Sequence, residues 1–172
     1  RASASPAAHN AVLRNCLVYR NVATGTGGST TYYAALYNCT LVNCVVVSNT
    51  GARYGGMQSG SATNSILLEN RVFTNMEMVV NYYGTTLRSC ATWPHPGGVG
   101  NIEVGDVGTV FRDYLADDYR LSVDSPCRDA GDNASVIWAF DIAGQPRIQG
   151  AAVDMGAYEC PPPRRGTLIY LR

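Results

Sequence analysis

Tyr37-Asn38-Cys39-Thr40-Leu41-Val42-Asn43-Cys44 is one copy of a pattern that recurs along the chain. A shift of 28 residues lays it over His9-Asn10-Ala11-Val12-Leu13-Arg14-Asn15-Cys16, and the match continues downstream, Asn49 on Asn21 and Gly55-Gly56 on Gly27-Gly28. A shift of 26 brings Asn38-Cys39-Thr40-Leu41 onto Asn64-Ser65-Ile66-Leu67 and Asn49 onto Asn75, and a further 25 reaches Ser89-Cys90-Ala91-Thr92. Self-similarity at such periods marks a solenoid, whose units bury their apolar sides only by stacking. The repeated segments are short and β-branched, as in Cys44-Val45-Val46-Val47, and are parted by Gly, Ser, Thr and Asn. Those are strands and tight turns, whereas helical repeats need long runs with a period near 3.6. Equivalent strands stack in parallel about 4.8 Å apart, with right-handed connections. The expected fold is therefore all-β, a right-handed parallel β-helix of about 25–28 residues per coil over residues 8–98.

Column chemistry agrees with that reading. Asn10, Asn38 and Asn64 align at one turn, and Asn21, Asn49 and Asn75 at another. An asparagine tolerates turn dihedrals and carries both a donor and an acceptor, so stacked amides form a structural ladder. Ala11, Cys39, Ser65 and Cys90, then Leu13, Leu41 and Leu67, then Val18, Val46 and Val72 are expected inside. Period-two alternation leaves Leu17, Tyr19, Val45, Val47 and Phe73 outside, with Arg71 fixing the parity. An outer apolar strip needs a cover: the non-repetitive C-terminal segment is favoured over a neighbouring chain or a ligand.

Composition narrows the function. The 172 residues are 15% charged, with 13 basic and 13 acidic side chains and no net charge. No nucleic-acid partner is expected from such a balance, and no apolar run approaches the roughly 20 residues of a membrane-spanning helix. Every basic residue is arginine, which excludes a lysine base or Schiff base. Residues 1–100 hold six arginines and two acids, a net +4, while residues 101–172 hold seven arginines and eleven acids, a net −4. The change of sign coincides with loss of the repeat near Gly97-Gly98, so residues 99–160 read as a capping segment of the same fold and 161–172 as a tail.

Cysteines 16, 39, 44, 90, 127 and 160 form no CxxC spacing, so zinc is not expected. Cys39 and Cys90, placed two coils apart, lie beyond disulfide reach. Cys16 and Cys44 either bridge or stack as thiols, and Cys127–Cys160 is the favoured pair. His9 and His95 are isolated, the latter in Trp93-Pro94-His95-Pro96-Gly97-Gly98, which is turn chemistry. No nucleophile elbow, phosphate loop or HExxH is present.

Beyond Asn101 the chain carries Ser125-Pro126-Cys127-Arg128-Asp129-Ala130-Gly131, Asp141-Ile142-Ala143-Gly144-Gln145-Pro146-Arg147 and Val153-Asp154-Met155-Gly156-Ala157-Tyr158-Glu159. With the Asn-Cys repeats, this resembles the end of bacterial secreted right-handed β-helix proteins of the pectate-lyase-like superfamily, including the choice-of-anchor surface proteins. The resemblance spans roughly residues 8–160. It implies a secreted or cell-surface protein, and it is weak for activity because such endings occur with varied functions.

Two functional classes follow. One is a non-catalytic scaffold, adhesive or glycan-binding module, in which Tyr32, Tyr33, Tyr54, Tyr82, Tyr83 and Trp93 stack on sugar rings; the same aromatics also read as loop anchors. The other is a polysaccharide lyase or glycoside hydrolase with its active site in this chain or in coils before Arg1. A lyase needs groove carboxylates and a base, and the first 100 residues offer only Glu69 and Glu77, with Arg71 beside Glu69. Of the polygalacturonase-type motifs only Asp117-Asp118 appears. No organic cofactor is expected. Calcium on Asp129 and Asp132 is the one metal alternative, against carboxylates that simply accept turn amides. Exposed first-coil edges also favour end-to-end self-association.

Overall fold

The computed structural model describes residues 6–23, 34–73 and 75–162, so Tyr32, Tyr33, Gly27-Gly28 and most of the 161–172 tail lie outside the described residues. The chain is all-β and passes repeatedly over itself. The first pass carries β1 (Ala8–His9), β2 (Val12–Arg14), β3 (Leu17–Tyr19) and β4 (Val22–Ala23). The second carries β5 (Leu36–Val42), β6 (Val45–Val47) and β7 (Thr50–Gly51). The third has β8 (Met57–Thr63), β9 (Ile66–Leu68), β10 (Arg71–Val72) and an added β11 (Asn75–Val79). The fourth has β12 (Tyr82–Tyr83), β13 (Thr86–Arg88) and β14 (Ala91–Thr92), after which come β15 (Ile102–Glu103), β16 (Phe111–Asp113) and β17 (Asp118–Leu121). Like strands pair in parallel, giving one sheet centred on β5 and β8, a second of β3, β6, β9, β14 and β15, and a third of β4, β7 and β10 extended by antiparallel β11.

The register corrects the repeat. Leu17 pairs with Val45, Val45 with Ile66 and Ile66 with Ala91, so the steps are 28, 21 and 25 residues. The linker that follows β4 in the first pass and β7 in the second shrinks from residues 24–35 to residues 52–56, and this removes seven residues from the second step. The first two passes each contain two Asn-led corners five residues apart, Asn10 and Asn15, then Asn38 and Asn43, and the 26-residue alignment slips from one to the other. Asn64 therefore sits in the column of Asn15 and Asn43, not that of Asn10 and Asn38, and Asn75 opens the β11 hairpin, where its side chain accepts from Glu77 N–H. The inner columns shift accordingly: Ser65 and Cys90 continue Cys16 and Cys44, and Leu67 continues Val46.

Turns between strands are made by single residues in the left-handed region. Asn15, Asn43, Asn64 and Ser89 have φ of 48°, 52°, 48° and 48°, and Arg20, Ser48 and Glu69 form a second such column at 51°, 55° and 54°. Left-handed backbone is costly for most residues and cheapest for Gly and Asn, which explains the asparagine-rich corners. At the third corner the amides stack. Asn21 Nδ2 donates to Asn49 Oδ1 at 2.9 Å, Asn49 to Asn70 at 2.9 Å and Asn70 to Asn81 at 3.0 Å, and Asn81 ends the row on the Trp93 carbonyl at 2.8 Å. Each accepting oxygen also takes the backbone N–H of the preceding asparagine. Asn38 Nδ2 joins Asn10 Oδ1 at 2.6 Å in a separate, exposed pair.

Two apolar layers share the second sheet. Val46 and Leu67 face inward with Leu36, Cys39, Leu41, Cys44, Met57, Ala62, Leu87 and Cys90. Val45, Val47, Ile66 and Leu68 face outward and are buried by Phe111, Tyr119, Leu121, Cys127, Met155 and Ala157 of the C-terminal segment. The outer strip is thus covered by the chain's own non-repetitive part. Polar contacts fix that cover in place: Tyr114 Oη meets Ser48 Oγ at 2.8 Å, Asp117 pairs with Arg20 at 2.8 Å, and Asn64 accepts Asp132 N–H while donating to its carbonyl. Phe73 stays outside the cover and is 51% exposed.

Candidate functional site

Glu69 occupies the left-handed corner after β9, and Arg71 opens β10 two residues later, so both side chains leave the same side of the chain. Arg71 Nη2 meets Glu69 Oε2 at 2.5 Å, with both side chains partly buried. The corner equivalents Arg20 and Ser48 are taken by Asp117 and Tyr114 of the C-terminal segment. Glu69 instead lines a cleft of about 190 Å³ with Leu68, Val79, Asn81, Trp93, Val104, Gly105 and Val107. Asn81 is committed to the amide row. The lining residues able to engage a ligand are therefore Glu69, itself paired with Arg71, and Trp93, among the apolar Leu68, Val79, Val104 and Val107.

The other described aromatics form a second locus. Tyr83 lies on Tyr54 with centroids 4.3 Å apart and planes 10° off parallel, and the Arg53 guanidinium sits 5.5 Å from the Tyr54 centroid. Tyr54 is buried and Tyr83 is 55% exposed, so this stack presents the Tyr83 ring. Alternation along β12 turns Tyr82 the other way, against the inner core, where its hydroxyl reaches the Pro94 carbonyl at 3.2 Å. His95 is a turn residue, with Gly97 N–H donating to Nδ1 and Nε2 facing the Asn101 carbonyl.

Asp129 and Asp132 spend their oxygens on the chain. Asp132 caps the 3₁₀ turn Asn133–Ser135, accepting from Ala134 N–H and Ser135 Oγ, with Arg88 at 3.4 Å. The Ser135 hydroxyl, more than any other contact, holds that carboxyl below its usual range. Asp129 accepts Ala152 N–H at 3.2 Å and lies 3.9 Å from Arg128. Among the described residues, no three His, Cys, Asp or Glu side chains gather as a metal-ligand set.

A buried charge cluster went unrecognised in the sequence. Arg147 is 2% exposed, its Nη1 is 3.4 Å from Glu159 Oε1, and Nη2 donates to the Gly156 carbonyl. Asp154 accepts from Asp129 N–H and Cys160 N–H, and Asp141 accepts from Ala143, Gln145 and Glu159 N–H. Burial, reinforced by the neighbouring Asp154 charge, pushes the Glu159 carboxyl up to about 9. These residues lie in or beside the segments 125–131, 141–147 and 153–159, and they bind the cover's loops together. All six cysteines are thiols; Cys127 and Cys160 lie in the outer layer without a bridge, and burial pushes Cys127 up to about 12.

No family model, curated protein or solved structure matches this chain. Among the described residues no helix is long and apolar enough to cross a membrane.

Proposed function

We propose that the chain is a non-catalytic module of a secreted or cell-surface bacterial protein, built as an open right-handed parallel β-helix that binds glycan on its outer surface. The β-helix reading is supported by three parallel sheets whose strands pair in the same order on successive passes, and by the amide row that links the passes. One observation carries the binding: Trp93 and Glu69 line the same cleft. An indole face packs against the C–H surface of a sugar ring while a carboxylate accepts from its hydroxyls, the pairing of apolar wall and few polar groups that small-ligand sites use. The Tyr54–Tyr83 stack supplies a second platform for a longer glycan.

The ion pair favours binding over chemistry. A lyase base must accept the α-proton of a uronate, and Arg71 is instead engaged by the Glu69 carboxylate at 2.5 Å. The test is affinity electrophoresis in acidic and neutral polysaccharides, with and without calcium, alongside the ultraviolet absorbance of unsaturated uronate products. Retardation that Trp93→Ala weakens by up to about tenfold is expected, from an aromatic contribution of about 0.5–1.5 kcal/mol. Absorbance growth abolished by Arg71→Ala would make the chain a lyase, and absence of both signals would reduce it to a scaffold.

A further inference from the structure

The pairs Arg14↔Val42 and Leu17↔Val45 place Cys16 level with Cys44 on neighbouring passes. Backbone bonds on either side, Asn15 N–H to the Val42 carbonyl at 3.1 Å and Val45 N–H to the Cys16 carbonyl at 2.9 Å, hold the two corners together. Adjacent parallel strands lie about 4.8 Å apart, inside the Cα–Cα range of about 4.4–6.8 Å that a disulfide spans. Both side chains belong to the inner layer, Cys16 Sγ donating to the Arg14 carbonyl at 3.1 Å and Cys44 Sγ to the Val42 and Leu13 carbonyls at 3.3 and 3.4 Å. The column then changes type: Ser65 takes the third place, and Cys90 lies two passes beyond Cys44, out of reach.

Cys16 also differs from the others in its surroundings. It is half-buried, whereas the other five are buried. The neighbouring Cys44 side chain holds the Cys16 thiol below the ordinary range, while the Cys16 side chain and burial push Cys44 up. Thiolate character and access are what make a cysteine reactive.

We infer that Cys16 and Cys44 form an oxidisable dithiol, a modification site for small disulfides of the glutathione class, whose closure staples the first pass to the second. The Cys16 thiolate attacks one sulfur of the small disulfide; that S–S bond breaks, a mixed disulfide forms on Cys16, and one small thiolate leaves. Cys44 gives its proton to solvent, its sulfur attacks the Cys16 sulfur, and the second small thiolate leaves. The protein pair loses two electrons and two protons, and the small disulfide is reduced to two thiols.

The full chain is incubated with oxidised glutathione at pH 7, residual thiols are alkylated, and the digest is mapped by mass spectrometry. The expected product is a Cys16–Cys44 linked peptide with the other four cysteines alkylated. Cys44→Ala should stop at a mixed disulfide on Cys16 and, without oxidant, move the pH midpoint of Cys16 alkylation up toward the ordinary thiol value of about 8.5. The wild-type alkylation order, with Cys16 ahead of the other five, tests the site without any variant. Linkage elsewhere, a wild-type chain that stops at the mixed disulfide or does not react, another cysteine alkylating first, or an unmoved midpoint in Cys44→Ala overturns the inference.

Discussion

Asn49→Ala probes whether the amide row carries the stack. Asn49 is fully buried, its Oδ1 accepts both Asn21 N–H and Asn21 Nδ2, and its Nδ2 donates to the Val18 carbonyl and to Asn70 Oδ1. Truncation leaves the Asn21 N–H and the Val18 carbonyl without these partners. A buried polar group stranded in this way costs about 1–3 kcal/mol, so two of them give a loss of about 2–6 kcal/mol. For a domain of this size that lowers Tm by roughly 4–24 °C. The internal control is Asn38→Gly, which removes a single exposed bond to Asn10 while keeping a residue suited to the left-handed backbone at that position (φ 50°), and should cost about 0.5–1.5 kcal/mol. Urea unfolding followed by far-ultraviolet circular dichroism, with the slope checked for constancy, measures both. Equal costs for the two variants, or a loss below about 1 kcal/mol for Asn49→Ala, would refute the argument that buried satisfaction of the corner holds the passes in register.

Ile66→Ala should destabilise by about 2–5 kcal/mol in the same assay, because Ile66 is fully buried between the second sheet and the cover. Gly56→Ala should prevent normal folding, seen as loss of soluble protein or a collapsed Tm, since an added Cβ would lie 2.1 Å from the Asn81 carbonyl oxygen. Glu159 holds its proton more tightly folded than unfolded, its carboxyl rising from an ordinary 4.5 to about 9. Its contribution is therefore fully present below about pH 4.5 and is lost as pH rises through about 9. Glu159→Gln should flatten the fall of stability with pH across that window, and a wild-type urea midpoint that does not fall there would contradict the burial argument.

The chemistry of the corners was readable because left-handed turns select asparagine, and the in–out alternation of Val45-Val46-Val47 was readable too; Arg71 and Val72, however, do not share that column but pair with Thr50 and Gly51 in the third sheet. The phase of the third pass was not. Asn38-Cys39 and Asn43-Cys44 carry the same local signal for two different corners, and only the inter-strand hydrogen bonds tell them apart. The outer apolar strip announced itself, whereas its route to burial under Phe111, Tyr119 and Met155 depends on contacts far apart in sequence. At the candidate site, the Glu69–Arg71 spacing was visible, but the approach of Trp93 to Glu69 follows from stacking the fourth pass beside the third. The Arg147–Glu159 cluster was hidden for the opposite reason, since burial of charge leaves no periodic trace.

The amide row runs in one direction only. From Asn21 to Asn81 one N–H of every amide points to the next oxygen in the row, finishing on a main-chain oxygen, and each side-chain oxygen from Asn49 onward accepts from the preceding asparagine. The second N–H of Asn21, Asn49 and Asn70 goes to the backbone of its own or the earlier pass. Four side-chain dipoles are thereby aligned head to tail, each polarising the next. Reversing any single amide would set oxygen against oxygen on one side and NH2 against NH2 on the other. The row therefore has a polarity that its members keep or lose together, and through it an orientation chosen at Trp93 is imposed three passes away at Asn21.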